Sequence, residues 1–366
     1  MSHKLTLSKR ISKLYSSVGI KGLVLVAARK CSYRMLPTIY KTRVLQGLHH
    51  PKIQTAYIEL TNKCNLHCKM CNYQSAQGKT GFMTKEFFQD CINQLSDIGV
   101  DTVCLHFGGE SLVHPEFKDF LKYAISKRDE GGIGSIGWTE NGMLFNESIA
   151  DLVVSLQVDF INFSLDGIGE INDNIRLGSK YSIIEKNIKY LLEKRGTGKN
   201  PVVLINMVDY GKTDAQKLEV AKEWVQHVNG IDLIPSILPD NSWENKEIHK
   251  KNLKTIPPPA FCHFPLDTLI ISWDGKVSGC CLDYVFRLNL GDATKNKIEQ
   301  IWNGSEFRSL RKAVLTNKFP ADSPCYKCEF WQVNFEPRVE PILDGKARME
   351  YGYIYRKIRA NKTACS

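Results

Sequence analysis

The chain has 366 residues, 43% hydrophobic and 24% charged, with 49 Lys or Arg against 39 Asp or Glu for a formal charge of +10. That balance excludes a disordered chain, a collagen-like chain and a small disulfide scaffold, and the length suggests about two domains. Twelve cysteines are many for this size; a cytosolic protein rarely spends them on disulfides, so their spacing points to metal.

Residues 1–50 hold ten Lys or Arg and no Asp or Glu, which is +10 by itself. Residues 346–366 carry six basic residues against Glu350, or +5, which leaves −5 for residues 51–345. Leu7, Ile11, Leu14, Tyr15 and Val18 recur at helical spacing, as in a helix with one apolar face and basic flanks. Two readings stay open for these ends: solvated basic segments, or contact with an anionic surface such as lipid headgroups or a phosphorylated substrate. The longest apolar run near the start, Leu23 to Ala28, falls far short of the roughly 20 residues of a membrane span. The Lys-rich start lacks the long apolar core of a secretory signal. It is acid-free and Ser-containing, like an organelle transit peptide, but shows no cleavage boundary before residue 50. The expectation is a cytoplasmic protein, with peripheral contact at a membrane surface left open.

From residue 51 strands and helices alternate. β-Rich runs are predicted at Ala56–Thr61, Thr102–Phe107, Gly134–Thr139, Asp159–Ser164, Val202–Val208 and Ile231–Ile237, with helices at Lys85–Ile98, Pro115–Lys127, Ser148–Leu156, Ile183–Glu193 and Ala215–Val228. Six such units predict an α/β fold: a parallel sheet covered by helices on its outer face, opening flat or curling toward a barrel. Either form places a site at the carboxyl ends of the strands. The polar stretch 239–261, with Pro257, Pro258 and Pro259 in a row, reads as an extended linker. Beyond it, Leu269–Trp273, Asp274–Gly275 and Lys276–Cys280 read as a hairpin with an Asp-Gly turn, and a helix is expected near Ile298–Leu315. The expected divisions are 1–50, a basic and helical extension; 51–245, the αβ core; 246–345, a cysteine-rich domain; and 346–366, a basic tail.

Cys64, Cys68 and Cys71 form CxxxCxxC directly after the first predicted strand, in Cys64-Asn65-Leu66-His67-Cys68-Lys69-Met70-Cys71. Three thiolates favour soft metals or iron–sulfur clusters. A structural zinc site wants four closed ligands, whereas three ligands on a four-iron cube leave one iron open to an outside molecule. The competing reading is a helix with three buried thiols; Asn62, Asn65 and the position after a strand argue against it. Further short motifs each follow a predicted strand: Gly108-Gly109-Glu110, Asn141-Gly142, and Ser164-Leu165-Asp166-Gly167, with Arg176 beyond. Each alone is ordinary turn sequence; their order carries the weight.

Over about residues 54–240 this pattern resembles the radical S-adenosylmethionine (radical SAM) superfamily. The resemblance implies a partial (β/α)6 barrel in which Cys64, Cys68 and Cys71 hold a [4Fe-4S] cluster whose open iron binds SAM. It implies that Gly108, Gly109 and Glu110 lie against the methionine end of SAM, where glycines allow close approach and a carboxylate accepts from an ammonium. Asn141, Ser164 and Asp166 would contact ribose and methionine, and Arg176 would pair with the SAM carboxylate. Ser111 and Met70 depart from common family residues without removing a ligand.

Cys262 follows the linker, twelve residues lead to Gly275, and Gly275 to Cys280 is a Gly-x4-Cys step; Cys281 follows, then Cys325 and Cys328 as CxxC. Over about residues 260–332 this resembles the short SPASM extension, which implies four ligands, Cys262, Cys280, Cys325 and Cys328, on a second, auxiliary [4Fe-4S] cluster. A four-thiolate zinc site is the alternative. Cys281 reads as a thiol packed beside the cluster or as a hydrogen-atom donor facing substrate. Cys31, Cys91, Cys104 and Cys365 read as ordinary thiols, and His106 and His114 as packed or turn histidines. Trp138 and Glu140 are expected to line the barrel mouth.

The resemblance implies reductive cleavage of SAM, fed by a flavodoxin- or ferredoxin-like donor, to a 5′-deoxyadenosyl radical that takes a hydrogen atom from substrate. Placed first is a carbohydrate-type small molecule, free, nucleotide-linked or lipid-linked, undergoing oxidation or epimerisation. A ribosomally made peptide is second, because residues 1–50 are too short and strand-poor for a winged-helix recognition domain. A non-catalytic metal-thiolate protein that binds nucleic acid through its basic ends is third, unsupported by aromatic-basic alternation in the core; no nucleic-acid partner is expected.

Overall fold

The computed structural model describes residues 40–71, 79–209, 214–235, 262–326, 328, 338–341 and 347–350. The apolar face expected around Leu7–Val18, the triple-proline linker, Cys31 and Cys365 lie outside these residues. The chain divides into two compact units, Met1–Pro51 and Lys52–Ser366; in the first, residues 40–45 are helical.

In the second unit six strands run parallel: β1 (Thr55–Ile58), β2 (Thr102–Cys104), β3 (Ser135–Glu140), β4 (Phe160–Ser164), β5 (Val202–Asp209) and β6 (Gly230–Pro235). The helices between them are α1 (Lys85–Ile98), α2 (Phe117–Asp129), α3 (Glu147–Ser155), α4 (Glu170–Ile175) and α5 (Tyr181–Arg195), with α6 (Asp214–Trp224) between β5 and β6. Local chemistry sets their ends. Thr84 caps α1 by accepting the Phe87 N–H at 3.3 Å, and Gly99 stops it in the left-handed region at φ 74°. The short α4, which the sequence pattern did not predict, is followed by Arg176–Leu177, which pairs antiparallel with His67–Cys68.

The cysteine-rich region contributes α7 (Phe264–Asp267), β7 (Thr268–Ile271), β8 (Lys276–Ser278), β9 (Gly291–Asp292), α8 (Ile298–Trp302) and α9 (Ser305–Thr316). The expected Asp-Gly hairpin forms, and its first strand adds parallel to β1: Tyr57 registers with Ile270 and Ile58 with Ile271. The sheet order is therefore β9-β8-β7-β1-β2-β3-β4-β5-β6. The helix expected near Ile298–Leu315 is two helices separated at Asn303 and Gly304. A separate hairpin joins β10 (Arg338–Pro341) to β11 (Ala347–Glu350) and crosses the division expected at 345/346.

Strand periodicity separates two faces. Ala56, Val103, Ile136, Trp138, Ile161, Phe163, Val203, Ile205 and Met207 are all 0% exposed, beneath the helices. On the other face, Tyr57, His106, Thr139, Asn162, Ser164, Val202 and Asn206 are only half-buried. The outer face is the core, where each large apolar side chain contributes about 1.5–3 kcal/mol. The inner face is a partly open lining.

This corrects the placement of two residues. Trp138 is buried on the outer face, with its ring 5.0 Å from Phe117 and 6.5 Å from Phe145. Glu140 shares that face, 1% exposed, and accepts from Trp138 Nε1 at 3.4 Å. Neither lines the barrel mouth, because positions 136, 138 and 140 share one side of a strand.

Candidate functional site: two cysteine sets at one end of the sheet

The loop after β1 carries Cys64, Cys68 and Cys71, and it is pinned on three sides. At its start, Asn62 Oδ1 accepts from Gly81 N–H at 2.8 Å, its Nδ2 donates to Lys79 O at 2.9 Å, and Thr61 Oγ1 donates to Gly81 O at 2.6 Å. In the middle, Asn141 Nδ2 donates to Asn65 Oδ1 at 2.8 Å. Toward the end, Cys68 registers with Arg176.

Gly108 and Gly109 pack onto the same loop. A Cβ on Gly109 would lie 2.4 Å from Thr61 O and 2.6 Å from Lys63 O, so only glycine permits this approach. Glu110 N–H then donates to Lys63 O at 2.8 Å. The Glu110 carboxylate accepts from Leu112 N–H at 3.3 Å and Asn141 N–H at 2.9 Å, so it braces two loops. Burial pushes this carboxyl up to about 7, against the two amides and the charge of Arg176. Glu140 behind it is raised as well, by burial and then by Glu110.

Ser164 ends β4 on the inner face. Asp166, fully buried, accepts from Val208 N–H at 2.8 Å and pairs with Arg176 Nη2 at 2.6 Å. Arg176 Nη1 also points at Cys68 Sγ, 4.0 Å away. The arginine expected to meet a ligand carboxylate is thus a 7%-exposed cation held between Asp166 and a cluster thiol. Burial opposes its charge, and Asp166 and Cys68 outweigh burial.

The three thiols crowd one another. Burial pushes Cys64 up to about 12, and Glu110, Cys68 and Cys71 add to the rise. Cys68 rises through burial, with Arg176 pulling the other way. Such thiols ionise together only around a cationic centre, so the donor set suits an iron–sulfur cluster. The second set, Cys262, Cys280, Cys325 and Cys328, lines one pocket whose other walls are Phe264, Pro265, Leu282, Leu288, Val314 and Phe319. Burial raises Cys262 and Cys280, and pushes Cys325 up to about 11. Among the described residues no three His, Cys, Asp or Glu side chains converge on a single ion; these sulfurs surround a space.

Family models match at both places: one described as radical SAM superfamily over residues 58–223, the other as an iron-sulfur cluster-binding domain over residues 262–329. The chain carries a radical SAM domain and, after it, an iron–sulfur cluster-binding domain. Radical SAM domains bind a [4Fe-4S] cluster and SAM, and SPASM domains bind auxiliary iron–sulfur clusters, which decides against zinc in the second pocket.

Among relatives, a tungsten-containing aldehyde ferredoxin oxidoreductase cofactor-modifying protein from Pyrococcus furiosus is 24% identical over 315 residues, covering 74% of this chain and 86% of that one. The antilisterial bacteriocin subtilosin biosynthesis protein AlbA from Bacillus subtilis is 26% identical over 317 residues, 75% of this chain and 66% of that one. Among solved structures, Streptococcus suis SuiB bound to precursor peptide SuiA superposes with a TM-score of 0.57 at 14% identity, over 77% of this chain and 71% of that one. That likeness is one of fold.

The structure of this radical SAM protein separates adjacent cysteines. Cys280 lines the second pocket, while Cys281 packs with Tyr57 and Tyr284 against Phe107, Ile270 and Phe286 on the inner face. Burial pushes Cys281 up to about 12, with Cys328 adding to the rise. Tyr284 was not singled out by sequence; its ring stacks on Phe107 at 5.4 Å, and its hydroxyl is raised by burial and then by Cys281, Cys71 and Cys280. It therefore lies near both cysteine sets. No sequence motif marks it beyond its place four residues after Cys280.

The two histidines also differ. His114 is a packed turn residue, 3% exposed, with Nε2 2.9 Å from Met83 O and Nδ1 accepting from Glu116 N–H. His106 faces inward beside Thr139 and Asn162. Its buried Nδ1 has no partner in the structure, and neither has Asn162 Oδ1. Burial lowers the His106 ring to about 4. Strand parity after β2 is the signal that separates them. Cys91 is buried on α1, and Cys104 lies on the inner face of β2.

Proposed function

We propose that this chain is a radical SAM enzyme that modifies a polypeptide. The observation that carries this reading is similarity to a bacteriocin biosynthesis protein over 75% of this chain. The lining supports it. On β1 to β5 the inner positions include Thr139, Asn162, Ser164 and Asn206, with His106 just past β2, and none is Lys or Arg; Asp232 on β6 registers with Asn206. A phosphorylated sugar would want cations there. A row without cations on β1 to β5, with two unpaired polar atoms, suits amide and hydroxyl groups. The carbohydrate reading, placed first from sequence, yields to the peptide.

In this reading Cys64, Cys68 and Cys71 hold the SAM-binding cluster and Cys262, Cys280, Cys325 and Cys328 the auxiliary one. When bound and given one electron, from a flavodoxin- or ferredoxin-like donor, SAM supplies a 5′-deoxyadenosyl radical that removes a hydrogen atom from substrate. The remaining work falls to the chain. Gly108, Gly109 and Glu110 form the wall against the methionine end, Asn141 and Ser164 offer polar groups to the ribose, and the Asp166–Arg176 pair braces the cluster loop. Phe107, Tyr284 and Phe286 keep water from the inner face. In this reading Cys281, packed on that face, gives a hydrogen atom to the substrate radical, and the sulfur radical left behind takes one electron from the same donor and a proton from solvent. Cys281→Ala then keeps SAM cleavage and loses product.

The deciding experiment is anaerobic reconstitution with SAM and dithionite, offered synthetic peptides spelled by reading frames flanking the gene and, separately, nucleotide sugars. A mass change in a peptide together with 5′-deoxyadenosine is expected. A mass change confined to sugars overturns the proposal.

A further inference from the structure

Glu59, just past the end of β1, is 1% exposed and belongs to neither cysteine set. Its Oε1 accepts from Gly108 N–H at 3.2 Å and its Oε2 from Trp273 N–H at 3.3 Å. Gly108 opens the glycine loop that packs on the first cysteine loop. Trp273 sits in the turn of the β7–β8 hairpin, 214 residues away in sequence. One buried carboxylate therefore holds one backbone amide from each domain. Its own N–H donates to Ile271 O at 2.9 Å and continues the β1–β7 pairing to this point.

The Trp273 ring closes the arrangement. It covers Gly81 so closely that a Cβ there would lie 2.1 Å from the ring. Gly81 is the residue tied to Thr61 and Asn62 at the start of the cysteine loop. The hairpin thus reaches the cysteine loop through Trp273 and Gly81, and the glycine loop through Glu59. A buried carboxylate needs such donors, and charge-assisted bonds of this kind are among the strong ones.

We infer that Glu59 is a positioning residue through which the C-terminal hairpin sets the glycine loop that receives SAM. Its place toward SAM rests on the reading of Gly108–Glu110 given above; its place as a clamp between the two domains does not. Loss of one acceptor leaves the partly buried Gly108 or Trp273 N–H without its partner, and the loop loosens.

The test uses the full chain and has two readouts. In the cluster-free protein, Glu59→Gln raises amide hydrogen exchange over residues 105–112 and 272–276 about tenfold, with iron uptake on reconstitution unchanged. In the reconstituted enzyme it raises the KM for SAM in 5′-deoxyadenosine formation about tenfold and leaves kcat close to wild type. Gly81→Ala, which displaces Trp273 without touching Glu59, moves both readouts the same way, and the double variant is less than additive. Unchanged exchange in a Glu59→Gln protein that keeps its denaturation midpoint overturns the inference, as does full additivity. Should Gly109→Ala leave the KM for SAM unchanged, the assignment of the glycine loop to SAM fails; the clamp then stands or falls on exchange.

Discussion

Around Cys64, Cys68 and Cys71 the neighbours carry charge or amides, Glu110, Arg176, Asn65 and Asn141, whereas around Cys262, Cys280, Cys325 and Cys328 every other wall is apolar. Both sets are sulfur, and burial raises Cys64 and Cys68 in one and Cys262, Cys280 and Cys325 in the other. The difference lies in what can enter. A polar rim with a buried arginine can accept a zwitterionic ligand; an apolar pocket closed by four sulfurs excludes one. On the reading proposed above, the same ligand atom would serve an open site in one region and a closed site in the other, and the residues packed around the thiols would decide which.

The comparison can be broken most directly at the open site. Cys64→Ala is expected to reduce 5′-deoxyadenosine formation below detection, measured by chromatography after anaerobic reconstitution; retained cleavage would remove the distinction altogether. Next, Cys280→Ala should lower iron from about eight to about four per chain, by four irons per cluster, while Cys281→Ala should lose none. Equal losses would mean that the neighbours do not face opposite ways.

The polar rim itself is tested by Asp166→Asn. Arg176 is then buried without its counter-charge, and a urea midpoint should report a loss of about 3–5 kcal/mol. Asp166→Asn with Arg176→Met should cost less than Asp166→Asn alone. The smallest effect concerns pH. His106 is held neutral, its ring lowered to about 4 from 6.5. Below pH 6.5 the unfolded chain binds a proton that the folded chain refuses. Stability contributed by this ring therefore falls between about pH 6.5 and 4, by at most about 3 kcal/mol. His106→Phe should flatten that part of the stability profile, and an unchanged slope would place the ring in water.

Much of this was legible because it is local. CxxxCxxC after a strand, Gly108–Glu110 and the SPASM cysteine spacing depend on residues close in sequence, and the Lys85–Ile98 helix, expected from the sequence pattern, forms with those bounds. Other features were not. Trp138 and Glu140 went to the outer face because strand parity in a curved sheet fixes sides only once the register is known. Arg176 met Asp166 and Cys68 through a two-residue pairing too short for any pattern. Adjacent Cys280 and Cys281 diverged at a turn past the end of β8, closed by Asp283 N–H on Cys280 O at 3.1 Å, whose direction the cysteine spacing does not encode.

The sequence by itself determined the two cysteine motifs and the cluster chemistry they point to, since metal chemistry is written in residue type and short spacing. Only the tertiary structure decided the surroundings: which thiols meet charge, which meet apolar walls, and that Glu59 holds amides from two domains. Those depend on contacts 49 and 214 residues apart, which parallel sheet pairing creates and no local pattern encodes.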